Sequence, residues 1–119
     1  MKSKVKISFG ATGLFDLSKR LLKSKTSSIF ILVDSNTKKF CLSNFISQTK
    51  ITNYELIEMH AGEEFKNIKT CEMIWHKLTE KGADRNSILI NLGGGVVCDL
   101  GGFEGSTFMR GIEFYNIPT

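Results

Sequence analysis

The chain has 119 residues, of which 41% are hydrophobic and 24% charged, a composition typical of one globular domain with its own core. Its net charge of +4 permits an anionic partner, yet no nucleic-acid-binding motif and no interleaved aromatic residues accompany the lysines near the start. No segment approaches the ~20 apolar residues of a membrane span, and no signal peptide is predicted. We therefore expect a cytoplasmic domain that binds neither nucleic acid nor membrane.

Hydrophobic periodicity predicts alternating strands and helices along the first half of the chain. A strand is predicted over 5–9, ending at Gly10, and a helix over 14–22, ending near Lys23. The continuous apolar run over 29–33 predicts a strand buried on both faces, as in the middle of a parallel sheet. A short helix over 40–46 and a further strand over 54–59 follow.

Residues 67–81 give the clearest helix prediction, and Gly82 provides its C-terminal stop. The apolar residues expected on its buried face are Ile68, Cys71, Ile74, Trp75 and Leu78. A strand beginning near Ile88, a helix over 96–110 and a last strand near Phe114 complete the pattern.

Strands that alternate with helices of this length imply right-handed crossovers and a mostly parallel sheet with flanking helices. The predicted fold class is therefore α/β and Rossmann-like. Ligands of such sheets bind at the carboxyl ends of the strands. Asp34, the pair Gly62 and Glu63, and three glycines at 93–95 all follow predicted strand ends, so the pattern collects them on one rim of the sheet.

Three consecutive glycines, residues 93–95, join the strand near Ile88 to the next predicted helix. Glycines let backbone N–H groups approach a ligand closely, and a helix N-terminus favours a negatively charged diphosphate. A turn that needs glycine only for a positive φ explains the same residues. The turn taken alone leaves both explanations open.

Longer motifs surround the glycines: G-G-G-V-V-C-D-L-G-G-F over 93–103, S-T-F-M-R-G over 106–111 and N-I-P-T over 116–119. Together they resemble the N-terminal domain of the 3-dehydroquinate synthase family. Two upstream elements, V-D-S-N over 33–36 and G-E-E-F-K over 62–66, resemble further family motifs in the same order. Because the family's enzymes are much longer, we expect residues 1–119 to be an NAD-binding domain without the C-terminal metal- and substrate-binding domain.

The resemblance implies a set of cofactor contacts. The matching residues are Asp34, Asn36, Glu63, Lys66, Gly94, Gly95, Val96, Asp99 and Thr119. Asp34 and Asn36 match contacts to the adenosine side of NAD, residues 94–96 match main-chain contacts to the diphosphate, and Asp99 matches a contact towards the nicotinamide half. The residues alone also allow simpler explanations: Asp34 as a helix cap, and Glu63 with Lys66 as a solvated ion pair.

Arg110 matches an arginine that the family uses to bind the substrate phosphate, delivered from a neighbouring subunit, so the resemblance implies a homodimer. The helix dipole alone also favours a cation at the predicted end of the helix over 96–110.

The resemblance implies conversion of a small phosphorylated sugar acid, 3-deoxy-D-arabino-heptulosonate 7-phosphate, into 3-dehydroquinate and phosphate. This is a lyase reaction of the shikimate pathway of aromatic amino acid biosynthesis, with NAD reduced and reoxidised within one turnover. The family's divalent metal, zinc or cobalt, binds in the second domain. In this chain we expect no catalytic residue and no metal ligand, since His60 and His76 have no companion at metal-ligand spacing.

The sequence departs from the family pattern in two places. Cys98 stands where glycine is usual, and Glu104 with Gly105 replaces two small or apolar residues. A carboxylate at Glu104 must reach solvent or find a partner. Gly101, Gly102 and Gly105 each cost roughly 1 kcal/mol inside a helix, so close packing against the sheet or a second subunit must offset them. The other cysteines, Cys41 and Cys71, are expected to be buried free thiols, like Cys98.

Two alternative functions stay open. Other sugar-phosphate cyclases, such as 2-deoxy-scyllo-inosose synthase, share this first domain, and a free-standing nucleotide-binding remnant would carry the same motifs. Iron-type alcohol dehydrogenases and glycerol dehydrogenases also use a G-G-G-x-x-x-D turn, but Arg110, Gly111 and the I-P-T over 117–119 fit the synthase pattern better.

Overall fold

The computed structural model describes residues 26–119, the backbone of 5–7, and Leu17, Lys19 and Leu21. The strands are β1 (Val5–Ile7), β2 (Ile29–Asp34), β3 (Glu55–Met59), β4 (Ile88–Gly93) and β5 (Glu113–Pro118). The α-helices of residues 26–119 are α1 (Ser35–Phe40), α2 (Leu42–Thr49), α3 (Ile68–Glu80) and α4 (Gly95–Thr107). Two 3-10 helices, Glu63–Phe65 and Phe108–Arg110, follow β3 and α4.

The described strands form one sheet in the order β1-β5-β4-β2-β3, and each neighbouring pair is parallel. The predicted α/β, Rossmann-like class is thereby confirmed. β4 lies at the centre of the sheet, and all six of its residues are buried. This burial on both faces explains the apolar runs over 29–33 in β2 and over 88–90 in β4.

The sheet separates two hydrophobic layers because successive side chains of a strand point to opposite faces. On one face, Phe30 and Leu32 of β2 pack with Ile74 and Leu78 of α3 and with residues of α4. On the other, Ile31 and Val33 pack with Phe45 of α2 and with Leu17. Helices α3 and α4 thus cover one face, while α2 and the segment containing Leu17 cover the other.

The predictions for the N-terminal segment are tested only in part. Residues 5–7 form the expected strand, and Leu17, Lys19 and Leu21 are helical as expected. The remaining residues of the predicted strand over 5–9 and helix over 14–22 lie outside the described residues.

Two predicted helix boundaries are wrong. The predicted helix over 40–46 is instead two helices, α1 and α2, which meet at Cys41. The helix predicted over 96–110 ends at Thr107, since Met109 and Arg110 take left-handed φ angles of 48° and 69°. The N–H of Ile112 then donates to the Gly105 carbonyl at 2.7 Å, which closes the end of α4 and turns the chain towards β5.

The orientation of α3 also differs from the prediction. Ile74 and Leu78 are fully buried as expected, but Ile68 and Trp75 are 69% and 49% exposed. Thr70 takes the place of Ile68 in the buried stripe, four residues before Ile74. The Asn67 side chain caps α3 by accepting a hydrogen bond from the Thr70 N–H at 2.9 Å.

Candidate functional site

The strand order creates a crevice between the carboxyl ends of β2 and β4. These strands are neighbours, but the chain leaves β2 towards β3 on one side and leaves β4 towards β5 on the other. Ligands of open α/β sheets bind at such a switch point. The segments that follow the two strands, α1 after β2 and the glycine turn (residues 93–95) after β4, flank this crevice.

Packing requires glycine at only one of the three positions of the glycine turn. Gly93 is buried, and a Cβ there would lie 2.8 Å from Val97 Cβ, so packing excludes a side chain. Gly94 and Gly95 are exposed, and a Cβ on either would meet no atom within 4 Å. Among the described glycines, positive φ occurs only at Gly62, Gly82 and Gly111, so the positive-φ explanation of the turn is wrong. Neither packing nor backbone conformation requires glycine at 94 and 95.

The N-terminus of α4 faces this open space. Gly94 is the N-cap and has no side chain that could accept hydrogen bonds from the first turn. The first intrahelical bond runs from the Cys98 N–H to the Gly94 carbonyl at 3.0 Å, so the N–H groups of residues 95–97 precede it. Free N–H groups and the positive end of the helix dipole together favour an anion. Thr119 lies beside the turn, since its N–H donates to the Gly93 carbonyl at 3.1 Å.

Asp34 forms a capping box at the start of α1. Its Oδ1 accepts from the Thr37 N–H at 2.8 Å and from the Thr37 hydroxyl at 2.6 Å, while the Asp34 N–H donates to that hydroxyl at 3.2 Å. The capping explanation of Asp34 is therefore confirmed. All three bonds leave Oδ2 unused, so a cap and a ligand contact are compatible at this residue.

An open cleft of about 150 Å³ joins α1 to the glycine turn. It is lined by Asp34, Asn36, Thr37, Phe40, Cys41, Gly94 and Thr119. Four of the nine expected cofactor contacts thus share one cleft, although they come from three separate segments of the chain. Thr37, Phe40 and Cys41 were not expected in this cleft. The one signal for them in the sequence is the D-x-x-T spacing of Asp34 and Thr37, which is typical of a helix start.

Three further expected contacts, Glu63, Lys66 and Asp99, form a cluster around the Lys66 ammonium group. Lys66 Nζ lies 2.8 Å from Asp99 Oδ2 and 3.8 Å from Glu63 Oε1. The hydrogen bond and charge of Asp99, together with the charge of Glu63, raise the pKa of Lys66 above its usual value. The cluster joins the end of the 3-10 helix after β3 to the second turn of α4, four residues after Gly95.

Arg110 stands apart from the cleft. It is exposed, lies in the left-handed turn after α4 and is absent from the residues that line the cleft. The prediction that Arg110 ends the helix is wrong, because α4 stops at Thr107. The dipole of α4 therefore does not explain a cation at this position. The structure therefore separates the residue expected to bind substrate from the residues expected to bind cofactor.

Beneath the site, α4 packs closely on the sheet. A Cβ on Gly101 would lie 1.9 Å from Asn91 Oδ1, and one on Gly105 would lie 2.4 Å from Phe114 Cδ1. Gly101 and Gly105 are therefore required by their contacts with β4 and β5. Of the two packing partners expected, the sheet or a second subunit, it is the sheet that requires these glycines. Gly102 is different, because a Cβ there would make ordinary contact with Phe114 at 3.6 Å.

The two departures from the family pattern lie on α4. Cys98 is half-buried, and its Sγ lies 3.6 Å from the Gly93 carbonyl oxygen; burial and the charge of Asp99 raise the pKa of this thiol. Glu104 is only 3% exposed, and burial raises its pKa to about 7. Its charge in turn helps raise the pKa of Cys71 on α3, although burial is the larger cause there. Cys41, Cys71 and Cys98 are free but only partly buried, contrary to the expectation of full burial.

Among the described residues, no group of three or more His, Cys, Asp or Glu side chains could hold a metal ion. Within the same residues, no helix has the length and apolar character needed to cross a membrane.

Residues 56–119 match the family model described as 3-dehydroquinate synthase N-terminal. The chain belongs to the 3-dehydroquinate synthase family. A 3-dehydroquinate synthase of Parabacteroides distasonis is 41% identical over 104 residues, which cover 87% of this chain and 30% of that protein. One from Campylobacter jejuni is 40% identical over 93 residues, covering 78% of this chain and 26% of its own length. The chain thus spans about a third or less of these 3-dehydroquinate synthases.

Solved structures with the same fold include sugar-phosphate cyclases. A 2-deoxy-scyllo-inosose synthase superimposes with a TM-score of 0.81 at 20% identity, covering 95% of this chain and 32% of that one. ValA, a 2-epi-5-epi-valiolone synthase from Streptomyces hygroscopicus, has a TM-score of 0.73 at 19% identity, covering 99% and 33%. At identities of about 20%, this likeness shows only that the chain has the same fold as these two enzymes.

Proposed function

We propose that this chain is the NAD-binding portion of a 3-dehydroquinate synthase, which converts 3-deoxy-D-arabino-heptulosonate 7-phosphate into 3-dehydroquinate and phosphate in the shikimate pathway. The complete enzyme is a cytoplasmic lyase and a homodimer. The chain alone binds the cofactor but does not turn over substrate, because it spans only about a third of its relatives.

The observation that carries this proposal is the open space above Gly94 and Gly95. Both residues have ordinary backbone conformations and no packing neighbour that would exclude a Cβ. A ligand that lies against the backbone explains why both are glycine. The adjoining helix N-terminus selects an anion, which in a dinucleotide is the diphosphate held by the main chain of Gly94, Gly95 and Val96.

The two halves of NAD then extend from the diphosphate to opposite sides. The adenosine half enters the cleft, where Asp34 Oδ2 and the exposed Asn36 side chain hold ribose hydroxyls, with Thr119 at the mouth. The nicotinamide half passes the cluster of Glu63, Lys66 and Asp99. Pockets that enclose whole ligands have volumes of roughly 300–1,000 Å³, so the cleft of about 150 Å³ holds only part of a dinucleotide.

Related structures support NAD together with a divalent metal in the complete enzyme. The 2-deoxy-scyllo-inosose synthase was solved with carbaglucose-6-phosphate, NAD+ and Co2+, and ValA with NAD+ and Zn2+. Bound NAD would supply a reversible hydride acceptor. The family resemblance assigns the zinc or cobalt of the complete enzyme to its C-terminal domain.

Sequence identity favours 3-dehydroquinate synthase over another cyclase. The curated relatives at about 40% identity are 3-dehydroquinate synthases, whereas the 2-deoxy-scyllo-inosose synthase shares 20%. Arg110 is assigned to the substrate phosphate across the dimer, which agrees with its exposed position away from the cleft.

Calorimetric titration of the chain with NAD, ADP-ribose and NADPH tests the cofactor part of the proposal. We expect NAD and ADP-ribose to bind with similar affinity and Gly95→Ala to weaken both. Absence of heat with every nucleotide contradicts the assignment. Mixing the chain with the C-terminal domain of the Parabacteroides enzyme tests the rest, since phosphate release from the heptulosonate should appear only in the mixture. A complex that forms and stays inactive argues against the synthase.

A further inference from the structure

Phe40 is 71% exposed, the highest exposure of any large hydrophobic side chain in the described residues. It is the last residue of α1, and its side chain lines the cleft together with Asp34, Asn36 and Gly94. Aromatic rings are usually among the most buried side chains because they remove a large apolar area from water. An exposed ring at the wall of a ligand cleft therefore needs a partner.

Helix α1 fixes the position of this ring relative to Asp34. The capping box closes the first turn, and Thr37 is buried beneath the helix. An ion pair of 3.0 Å between Lys38 and Glu58 ties α1 to β3. With a rise of about 1.5 Å per residue, Phe40 lies about 9 Å along the helix from the Asp34 cap. The ring is thus presented by a rigid element.

We propose that Phe40 is the platform on which the purine base of the dinucleotide stacks. This inference rests on the proposed function and extends it, since it names the residue that recognises the base. The carboxylate of Asp34 and the open turn at Gly94 give the cleft a polar side suited to ribose and diphosphate, whereas Phe40 gives it an apolar aromatic side. A nucleotide has the same two sides.

The ring face is accessible to a ligand. Lys39 Nζ already lies over the Phe40 ring, 5.1 Å from its centroid, as a cation–π contact with a flexible exposed side chain. A purine either takes the opposite face or displaces this ammonium. Stacking on an aromatic ring tolerates any base, so Phe40 adds affinity for the base while the ribose contacts set its position.

Binding of ADP-ribose, AMP and inorganic pyrophosphate to Phe40→Leu, Phe40→Tyr and the unmodified chain tests the proposal. Loss of the ring should weaken ADP-ribose and AMP by roughly 5- to 100-fold, the usual range for one stacked base, and Phe40→Tyr should restore binding. Pyrophosphate, which has no base, should bind all three proteins equally. Equal ADP-ribose affinity in Phe40→Leu and the unmodified chain overturns the stacking role and leaves the proposed function intact. No ADP-ribose binding to the unmodified chain overturns both.

A fluorescence experiment reports on stacking itself. Trp75 is the only tryptophan, so Phe40→Trp combined with Trp75→Phe places a single indole at the cleft. Stacking of adenine on this indole should quench its emission on addition of ADP-ribose, while pyrophosphate should leave the emission unchanged. Emission that ignores ADP-ribose while calorimetry shows binding contradicts the proposal. Emission that changes with protein concentration and not with ADP-ribose also contradicts the proposal, because a second copy of the chain would then cover the indole at position 40.

Discussion

Lys66 Nζ donates a 2.8 Å hydrogen bond to Asp99 Oδ2 and thereby joins two segments that are 33 positions apart in the sequence. One segment is the end of the 3-10 helix after β3 and the other is the second turn of α4. Both residues belong to the expected NAD contacts, so under the proposed function the ion pair orders the nicotinamide side of the site before the cofactor binds.

Removing this ion pair should weaken NAD binding without destabilising the fold. The two side chains are 40% and 60% exposed, and exposed ion pairs contribute little to stability. We therefore expect Lys66→Met to lower NAD affinity while Tm stays nearly unchanged. Lys81→Met is the matched control, because the Lys81–Glu55 pair of 3.1 Å has similar geometry but lies at the start of β3, away from the rim. Equal NAD affinity in the two variants would argue against a cofactor role for Lys66.

The glycines of α4 should separate into a structural and a ligand-binding class. Gly105→Ala places a Cβ 2.4 Å from Phe114 Cδ1, so it should destabilise the chain by about 1–3 kcal/mol in urea denaturation. Gly95→Ala meets open space and gains up to about 1 kcal/mol of helix propensity, so stability should hold or rise. The same Gly95→Ala change should weaken NAD by about tenfold, or ~1.4 kcal/mol. A Gly95→Ala variant that binds NAD normally would contradict a diphosphate site at the glycine turn.

Stability should fall with rising pH through the titration of Glu104. Burial raises the pKa of Glu104 from 4.5 to about 7, so the folded chain holds a proton that the unfolded chain releases. The stabilising effect of that proton is fully present below pH 4.5 and is lost as the pH rises to 7, with an upper limit of roughly 3 kcal/mol. Glu104→Gln keeps the shape and removes the charge, so the difference in unfolding free energy between variant and parent should grow over this window. Parallel pH profiles would show that Glu104 does not titrate there.

Cys98 should react slowly with iodoacetamide despite its place in the first turn of α4. Burial and the Asp99 charge raise the pKa of this thiol, and the thiolate is the reactive form. We expect Asp99→Asn to speed alkylation of Cys98, as measured by mass spectrometry of the peptide, and ADP-ribose to slow it in the parent. Fast labelling of the parent at neutral pH would contradict the raised pKa.

The strands and the rim of the sheet follow directly from the sequence. Apolar runs such as 29–33 predict buried parallel strands, and parallel strands bring their carboxyl ends together. The sequence therefore predicts that Asp34 and residues 93–95 lie near each other. The order β1-β5-β4-β2-β3, which makes the crevice between β2 and β4 a switch point, depends on long-range pairing that local pattern does not encode.

The sequence predicts less about local turns and helix rotation. Helix α1 has no apolar periodicity, and only the capping box of Asp34 and Thr37 marks its start, so Phe40 and Cys41 were not expected in the cleft. Trp75 was expected to be buried, yet the buried residues of α3 are Thr70, Ile74 and Leu78, and the polar Thr70 gives no hydrophobic signal in the sequence. The left-handed turn at Met109 and Arg110 is imposed by the return into β5 rather than by either side chain.

The most direct test of the account is an amide chemical-shift titration of the isotope-labelled chain with ADP-ribose. If the diphosphate rests on the N-terminus of α4, the largest shifts should fall on the amides of Gly94, Gly95 and Val96, with smaller shifts at Asp34 and Asn36. Shifts confined to other surfaces, or none at saturating ADP-ribose, would contradict a cofactor site at the glycine turn.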